Sequence, residues 1–298
     1  MKWKGRRQSS NVEDRRGQRG PGQGIGGLNP SLLQPLLRLL FSKVGLFLVG
    51  GFLIVSLILG KNPLTLIGQI LNGGVQTEAT TPYKSTAKDE ELAQFSATIL
   101  ANTEDVWHKL LKNYREPTLV LFNGSVSSAC GSASSAMGPF YCPGDEKLYL
   151  DLSFFDDMER QLNAPGDFAQ AYVIAHEVGH HIQNIMGITD KMNQLRGDLS
   201  KTEYNKYSVR LELQADFLAG VWAHYSQEMT RMMETGDLEE ALNAANAIGD
   251  DRLQKQSSGR VVPDSFTHGT SAQRMRWFKK GFETGDLAQG DTFNAKSL

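Results

Sequence analysis

Cysteine is scarce in this chain: Cys130 and Cys142 are the only two among 298 residues. They are twelve positions apart, which is not the spacing of a CxxC zinc knuckle, so zinc bound by this pair is disfavoured. They flank a loop rich in Ser, Ala and Gly. In an oxidising compartment the pair is expected to form a disulfide, and two buried free thiols are the alternative.

An excess of one charge is also lacking, since 31 Lys and Arg nearly balance 33 Asp and Glu. The balance conceals an asymmetry: residues 1–43 carry a net charge of +7, which leaves −9 for the rest. Residues 1–30 contain few apolar side chains, so we interpret residues 1–40 as a disordered basic arm. A position beside a membrane explains this charge better than nucleic acid does, and no nucleic-acid partner is expected.

Only one hydrophobic run is long enough to consider as a membrane span. Val44 to Gly60 is uncharged and apolar, and lysines bracket it. Lysines that reach the headgroups extend it to roughly the 20 residues that a bilayer core requires, so residues 41–61 are predicted to form a transmembrane helix. A buried core helix and a cleaved signal peptide are the alternatives.

The positive-inside rule orients this predicted span. It places the N-terminus in the cytoplasm of a bacterial inner membrane and exports the residues after the span, with the lipid bilayer as a partner through a single pass. Residues 62–87, rich in Thr, Gly and Ser, then form a linker. A periplasmic or extracytoplasmic domain is expected over residues 88–298.

The exported domain mixes helical and strand patterns. Apolar side chains at helical spacing predict helices over residues 89–114, 167–187, 202–225, 236–253 and 271–282. Runs of β-branched, aromatic and alternating residues predict strands at residues 118–122 and 147–155. The domain is therefore predicted to be α+β, mainly helical with a small sheet.

His176, Glu177 and His180 form an HExxH motif in the middle of a predicted helix that Asp167 is expected to cap. Residues four apart lie on one helix face, so both imidazoles can reach one metal ion while Glu177 flanks it. Gly179, inside the motif, costs about 1 kcal/mol relative to Ala. That cost indicates that another backbone or side chain approaches closely there.

A catalytic zinc needs a third protein ligand. Gln183 and Met186 stand where a metzincin has Gly and His, which excludes that class. Glu212, 36 residues after His176, is a better candidate for the ligand than for a solvated helix-face carboxylate. Asp216, one turn later, can accept a hydrogen bond from a ligand His, with a salt bridge or a cap as the alternative. One Zn²⁺ per chain is expected.

Four sequence blocks carry a family resemblance: CGSASSAMGPFYCPGDEKLYLDLSFF, HEVGHHIQ, RLELQADFLAG and VVPDSFTHGTSAQRMRWF. Together they resemble the neutral zinc metallopeptidase family, the YpfJ-type bacterial membrane proteins, from about residue 1 to the C-terminus. The resemblance implies a zincin-like α+β fold, an N-terminal membrane anchor, and zinc held by His176, His180 and Glu212. No position needed for the zinc chemistry departs from the family pattern.

The expected reaction is zinc-dependent hydrolysis of a peptide bond. Glu177 would act as general base, taking the proton of the attacking water and passing it to the leaving amine. His268 and Arg274 resemble the late His and Arg of membrane-associated gluzincins and are candidates to stabilise the oxyanion. A capped turn and a structural ion pair are their respective alternatives. His181 points about 100° away from His180 on a helix, so a core or supporting role is expected.

Gly138, Pro139, Phe140 and Tyr141 are the candidate edge strand along which an extended peptide would lie. The expected protein is thus a membrane-anchored, extracytoplasmic zinc endopeptidase of the gluzincin type, with a peptide or protein as its substrate. Two alternatives stay open. One is a zinc-containing membrane protein that binds or chaperones without proteolysis, and the other is a zinc amidase that acts on cell-wall peptides.

Overall fold

A computed structural model of the protein describes residues 1–18 and 83–298. Its helices are α1 (Ala87–Leu110), α2 (Ser153–Arg160), α3 (Asp167–Ile185), α4 (Ile188–Asp198), α5 (Lys201–Thr230), α6 (Asp237–Ala247), α7 (Asp250–Ser258) and α8 (Ser271–Thr284). Its strands are β1 (Val12–Asp14), β2 (Thr118–Phe122), β3 (Ser125–Ser128), β4 (Gly131–Ser134), β5 (Phe140–Cys142) and β6 (Lys147–Asp151). The expected α+β class, mainly helical with a small sheet, is confirmed.

Four strands form the main sheet in the order β1-β2-β6-β5. The first three are parallel, and β5 pairs antiparallel with β6 at the edge. The central strands β2 and β6 are mostly apolar because both of their faces are covered. Leu119 and Leu150 pack with the helices in the large core, whereas Val120 and Tyr149 pack in a smaller cluster with the β3–β4 hairpin. The edge strand β5 contacts α3 of the helical layer.

Residues 1–18 fold into one compact unit with residues 85–298. β1 pairs with β2, and the Met1 ammonium lies 2.8 Å from Asp167 Oδ1 at the start of α3. The Arg7 guanidinium donates to the buried Glu104 carboxylate at 2.9 Å. The predicted disordered arm is therefore wrong for residues 1–18, because β1 pairs with β2 and carboxylates elsewhere in the unit bind the Met1 ammonium and the Arg7 guanidinium.

The single-pass topology predicted from the sequence is also wrong. In residues 1–18 and 83–298 no helix combines the length and apolar character that a membrane crossing needs. The predicted transmembrane helix at residues 41–61 lies outside the described residues, as does nearly all of the predicted linker at 62–87.

Two of the differences between predicted and observed element boundaries have a clear cause in the structure. The predicted helix over 236–253 is broken into α6 and α7 at Gly249, where an added Cβ would lie only 2.4 Å from the Ser271 amide nitrogen. The break thus lets the start of α8 approach. The predicted strand over 147–155 ends at Asp151, whose carboxylate accepts the Ser153 N–H at 3.0 Å and so opens α2 instead.

The N-terminus of α3 also differs in its cap. Gly166, not Asp167, is the N-cap, with φ of 113°, and Glu240 from α6 accepts the Phe168 N–H at 3.0 Å. Asp167 is the first helical residue, and its carboxylate holds the Met1 ammonium. The start of the HExxH helix is therefore stabilised by tertiary contacts instead of a local capping box.

Candidate metal centre and active site

Helix α3 and helix α5 cross in backbone contact at Gly179. A Cβ atom on Gly179 would lie 3.0 Å from the Ala215 carbonyl oxygen and 3.1 Å from its Cα. The close approach predicted from this glycine is confirmed. Because Ala215 stands between Glu212 and Asp216 in the sequence, the crossing brings both carboxylates to the histidine face of α3.

Three side chains meet at this crossing in a geometry that suits a metal ion. His176, His180 and Glu212 each offer one donor atom, and all three atoms lie within 4.8 Å of one another. His176 Nε2 is 3.1 Å from Glu212 Oε2, and His180 Nε2 is 3.5 Å from Glu212 Oε1. Two imidazole nitrogens and one carboxylate oxygen are a donor set that zinc favours, so the residues present fit the metal.

Hydrogen bonds to the other ring nitrogens orient both histidines. His176 Nδ1 donates to Asp216 Oδ1 at 2.9 Å, and His180 Nδ1 donates to Gln183 Oε1 at 2.8 Å. The amide group of Gln183 is fixed in turn, since it donates to the Leu211 carbonyl oxygen at 2.7 Å. Each bond keeps a proton on Nδ1, so Nε2, which faces Glu212, is the nitrogen available to a metal ion.

Asp216 is fully buried and is surrounded by donors. It accepts from Arg274 Nε at 2.8 Å and Nη2 at 2.9 Å, and from the Tyr172 hydroxyl at 2.5 Å. The Arg274 guanidinium, itself 2% exposed, is therefore committed to this carboxylate. The structure favours the structural ion pair, the alternative that the sequence left open for Arg274, over an oxyanion donor.

The electrostatics of the crossing favour positive charge at its centre. Against the effect of burial, Asp216 and Glu212 raise the pKa of His176 to about 9. Also against burial, His180 and His176 hold the pKa of Glu212 well below its usual range. Arg274 and His176 likewise lower the pKa of Asp216 to about 2 although burial acts in the opposite direction. Such a field suits a cation site.

Glu177 lies beside the three donors, in contact with the cleft. Burial raises its pKa, while His180, His176 and the backbone N–H of Tyr141 act in the opposite direction. Tyr141 belongs to the edge strand β5. The carboxylate of the HExxH motif thus lines the same cleft as the candidate metal ligands and the edge strand.

A cleft of about 810 Å³ runs along these groups. Of the four candidate edge-strand residues, Phe140 and Tyr141 lie in β5 while Gly138 and Pro139 precede it, and all four line the cleft. Five apolar side chains also line the cleft and form its apolar wall: Phe154, Leu162, Val173, Ile248 and Leu253. Cys130 and Cys142 form a disulfide with an S–S distance of 2.04 Å, which ties the β3–β4 turn to the end of β5.

His268 lies at the rim of the cleft and is held there by Asp250. Its Nδ1 is 3.2 Å from Asp250 Oδ1, while Asp250 Oδ2 accepts the backbone N–H groups of Thr267, His268 and Gly269. The bond to Asp250 raises the pKa of His268, against the effect of burial. Sequence reasoning missed Asp250, which lies inside a predicted helix, although Gly249 before it is a signal for the end of a helix.

His181 points away from the metal ligands, as its helical position predicts. Its ring is fully buried, with Nε2 2.6 Å from the Arg115 carbonyl oxygen and Nδ1 3.0 Å from the Tyr141 hydroxyl. Burial lowers the pKa of this histidine. His181 therefore bridges α3 to β5 and to the segment before β2.

Residues 1–293 match the family model described as "Putative neutral zinc metallopeptidase". The chain belongs to this family. The resemblance inferred from the four sequence blocks is thereby confirmed. The family description also names the coarse class expected from the sequence, a zinc metallopeptidase acting on peptides or proteins.

Relatives of this chain occur in Escherichia coli and in Mycobacterium tuberculosis. Uncharacterized protein YpfJ of Escherichia coli K12 is 53% identical over 297 residues, covering 98% of this chain and 99% of the relative. Uncharacterized protein Rv2575 of Mycobacterium tuberculosis H37Rv is 44% identical over 207 residues, covering 66% of this chain and 69% of the relative. No solved structure matches the chain.

Proposed function

We propose that this protein is a zinc-dependent endopeptidase with a zincin-like arrangement, in which His176, His180 and Glu212 hold the metal. The observation that carries the proposal is the position of Glu177, which faces the cleft between this donor set and the edge strand β5. When bound, zinc supplies Lewis acidity toward a scissile carbonyl and an attacking water.

Glu177 is the proposed general base. Its carboxylate takes the proton of the attacking water and then delivers it to the leaving amine nitrogen. Burial raises the pKa of Glu177, which makes the carboxylate a better proton acceptor than an exposed one. Both transfers need the group within reach of the scissile bond, and its place beside the cleft supports that.

His268 is the proposed donor to the oxyanion. Asp250 raises its pKa, which favours the protonated ring, and its Nε2–H can donate toward the cleft. Arg274 has a different proposed role: with Tyr172 it holds Asp216, which in turn orients His176. Arg274 and Asp216 are therefore positioning residues.

The proposed substrate is an extended peptide that pairs with β5. One side of β5 pairs with β6, and within the described ranges no strand pairs with its other side. Backbone pairing at an edge ignores sequence, while the apolar wall that includes Phe154 and Val173 favours apolar side chains near the scissile bond. These contacts predict cleavage of unstructured polypeptides next to apolar residues.

The test compares the full chain with Glu177→Gln. Both should hold about one zinc per chain, because Glu177 is not a ligand, but the variant should cleave an unstructured protein roughly 10²- to 10⁴-fold more slowly. Glu159→Gln, an exposed residue of α2 outside the cleft, is the matched control and should retain activity. Zinc-loaded wild type that cleaves none of a broad peptide library would contradict the proposal.

Two further measurements separate the alternatives. If zinc were structural in a binding or chaperone-like protein, chelation would unfold the chain, whereas a catalytic zinc leaves a folded, inactive protein by circular dichroism. If the substrate were a cell-wall peptide amide, muropeptides would be hydrolysed and polypeptides would not. Profiling the cleaved products of both pools distinguishes these outcomes.

A further inference from the structure

Both ring nitrogens of His181 are used, although the residue touches none of the candidate metal ligands through its ring. Nε2 lies 2.6 Å from the Arg115 carbonyl oxygen. Because a carbonyl can only accept, Nε2 carries the proton, and Nδ1 must accept from the Tyr141 hydroxyl at 3.0 Å. The two partners thus fix one tautomer and one orientation of this buried ring.

The Tyr141 hydroxyl is held by two residues of α3. It donates to His181, and it accepts from Asn184 Nδ2 at 3.1 Å. His181 and Asn184 are three residues apart on the helix that carries the HExxH motif, so they form one face. The Tyr141 and His181 rings also meet edge to face, with centroids 5.3 Å apart. The side chain of an edge-strand residue is therefore fastened to the catalytic helix.

The backbone of the same tyrosine lies next to the chemistry. Tyr141 and Glu177 line the same cleft, and the strand of Tyr141 forms the part of its wall along which a peptide would pair. β5 has only three residues and one neighbouring strand, so its own ladder constrains it weakly. The Cys130–Cys142 disulfide ties the end of β5 to the β3–β4 turn, whereas the hydroxyl contact holds β5 against α3.

We propose that His181 is a positioning residue that, through Tyr141, holds the β5 edge strand at its working distance from Glu177. The inference rests on the proposed peptidase function, because it concerns how an extended peptide is presented to the general base. His181 contacts neither substrate nor metal. Its effect should appear in substrate binding and in the mobility of β5.

The test uses Tyr141→Phe, which removes only the hydroxyl, and His181→Asn, which keeps a polar group in place of the ring. For a peptide substrate, Tyr141→Phe should raise KM about 3- to 10-fold, the effect of losing the hydrogen bonds to His181 and Asn184, and change kcat by less than about 2-fold. The effects of the two changes should not add, because both remove the contact between Tyr141 and His181, and the double variant should exceed His181→Asn only by the effect of the lost Asn184 bond. Zinc content should stay at about one per chain.

Amide hydrogen exchange of residues 138–142 gives a readout that does not depend on activity. Exchange there should accelerate in Tyr141→Phe while the middle of α3 stays protected. Tyr204→Phe, which loses a surface hydrogen bond from Arg196 at 3.3 Å, is the matched control and should change neither exchange at β5 nor KM. If His181→Asn does not fold, the exchange and KM of Tyr141→Phe still test the positioning role.

Unchanged KM and unchanged exchange at residues 138–142 in Tyr141→Phe would overturn the positioning role, even if the wild type proves to be a peptidase. Conversely, if the wild type cleaves no peptide, the proposed function fails. Faster exchange in the variants would then still support the coupling of β5 to α3 through His181.

Discussion

At the scale of single residues, Asp250 sets the charge of the cleft rim through His268. The bond between them raises the pKa of His268 and lowers that of Asp250. A histidine whose folded pKa is raised contributes stability that is fully present below its unfolded pKa and is lost as pH rises through the folded pKa. The Asp250 contribution is lost as pH falls through its lowered pKa. The pair is therefore strongest between the unfolded pKa values of the two groups.

Asp250→Asn should move the alkaline limb of kcat/KM to lower pH. Without the carboxylate the pKa of His268 falls, so the ring loses its proton, and with it the donor to the oxyanion, at a lower pH. A profile of kcat/KM from about pH 5 to pH 8 measures this. His268→Gln removes the titrating group and should abolish that limb while lowering kcat about 10²-fold. Identical profiles for Asp250→Asn and wild type would rule out the role.

Some residue roles can be predicted from the sequence and others cannot. HExxH places His176, Glu177 and His180 on one helix face through periodicity alone, and the spacing of a second helix points to Glu212. Asp250 owes its role to a tertiary contact with a loop seventeen residues later, which no local pattern encodes. The sequence singles out Arg274 as a candidate but does not reveal its role, because a sequence does not show which carboxylate a guanidinium reaches.

At the scale of elements, the helix crossing at Gly179 decides whether the donors converge. Ala at this position gains about 1 kcal/mol of helix propensity. Its Cβ, however, would lie 3.0 Å from the Ala215 carbonyl oxygen, a distance shorter than that of nine in ten real Cβ contacts. The helices must therefore separate by a few tenths of an ångström. Overpacking of this kind costs about 1–3 kcal/mol. Gly179→Ala should therefore destabilise the fold by about 0–2 kcal/mol in urea.

Zinc affinity should respond more strongly than stability. His176 and His180 lie on one helix and Glu212 on the other, so separating the helices should weaken zinc binding at least about 10-fold in a chelator competition. Gly197→Ala is the control, since nothing lies within 4 Å of its added Cβ in α4, and it should raise stability by up to about 1 kcal/mol with unchanged zinc affinity. Equal zinc affinity in Gly179→Ala would show that the crossing does not set the site.

Element types can be predicted from the sequence more securely than element ends. Periodicity locates α3 and α5 because both keep an apolar stripe over many turns. It misses the break between α6 and α7 because the apolar pattern continues through Gly249, whereas the cause is the approach of Ser271 from α8. Ends of elements depend on neighbours that lie far along the chain.

At the scale of the whole molecule, residues 1–18 belong to the same folded unit as the candidate active site. Their composition is polar and basic, which is typical of disorder, because their apolar content is too low to drive folding. The partners that order them are carboxylates on α1, about a hundred residues away, and one strand ladder with β2. Composition reports how much apolar surface a segment can bury, but not which charges it meets.

A double-mutant cycle on Arg7 and Glu104 tests this docking in solution. Glu104 is 1% exposed, and its carboxylate accepts from Arg7 at 2.9 Å, from Asn11 at 3.0 Å and from the Ser9 hydroxyl. Arg7 is half exposed, so water screens part of the attraction. We expect each single change to Gln to lower the free energy of unfolding, with a coupling of about 1 kcal/mol between them.

The pair Lys4–Glu91 provides the internal comparison for this cycle. Its atoms lie 2.6 Å apart, but the side chains are 73% and 53% exposed, so coupling below about 0.5 kcal/mol is expected. If both pairs gave zero coupling in urea unfolding of the full chain, residues 1–18 would not be docked on α1 in solution. Coupling confined to Arg7 and Glu104 would instead show that a buried carboxylate, and not the net charge of the segment, holds the N-terminus on the folded unit.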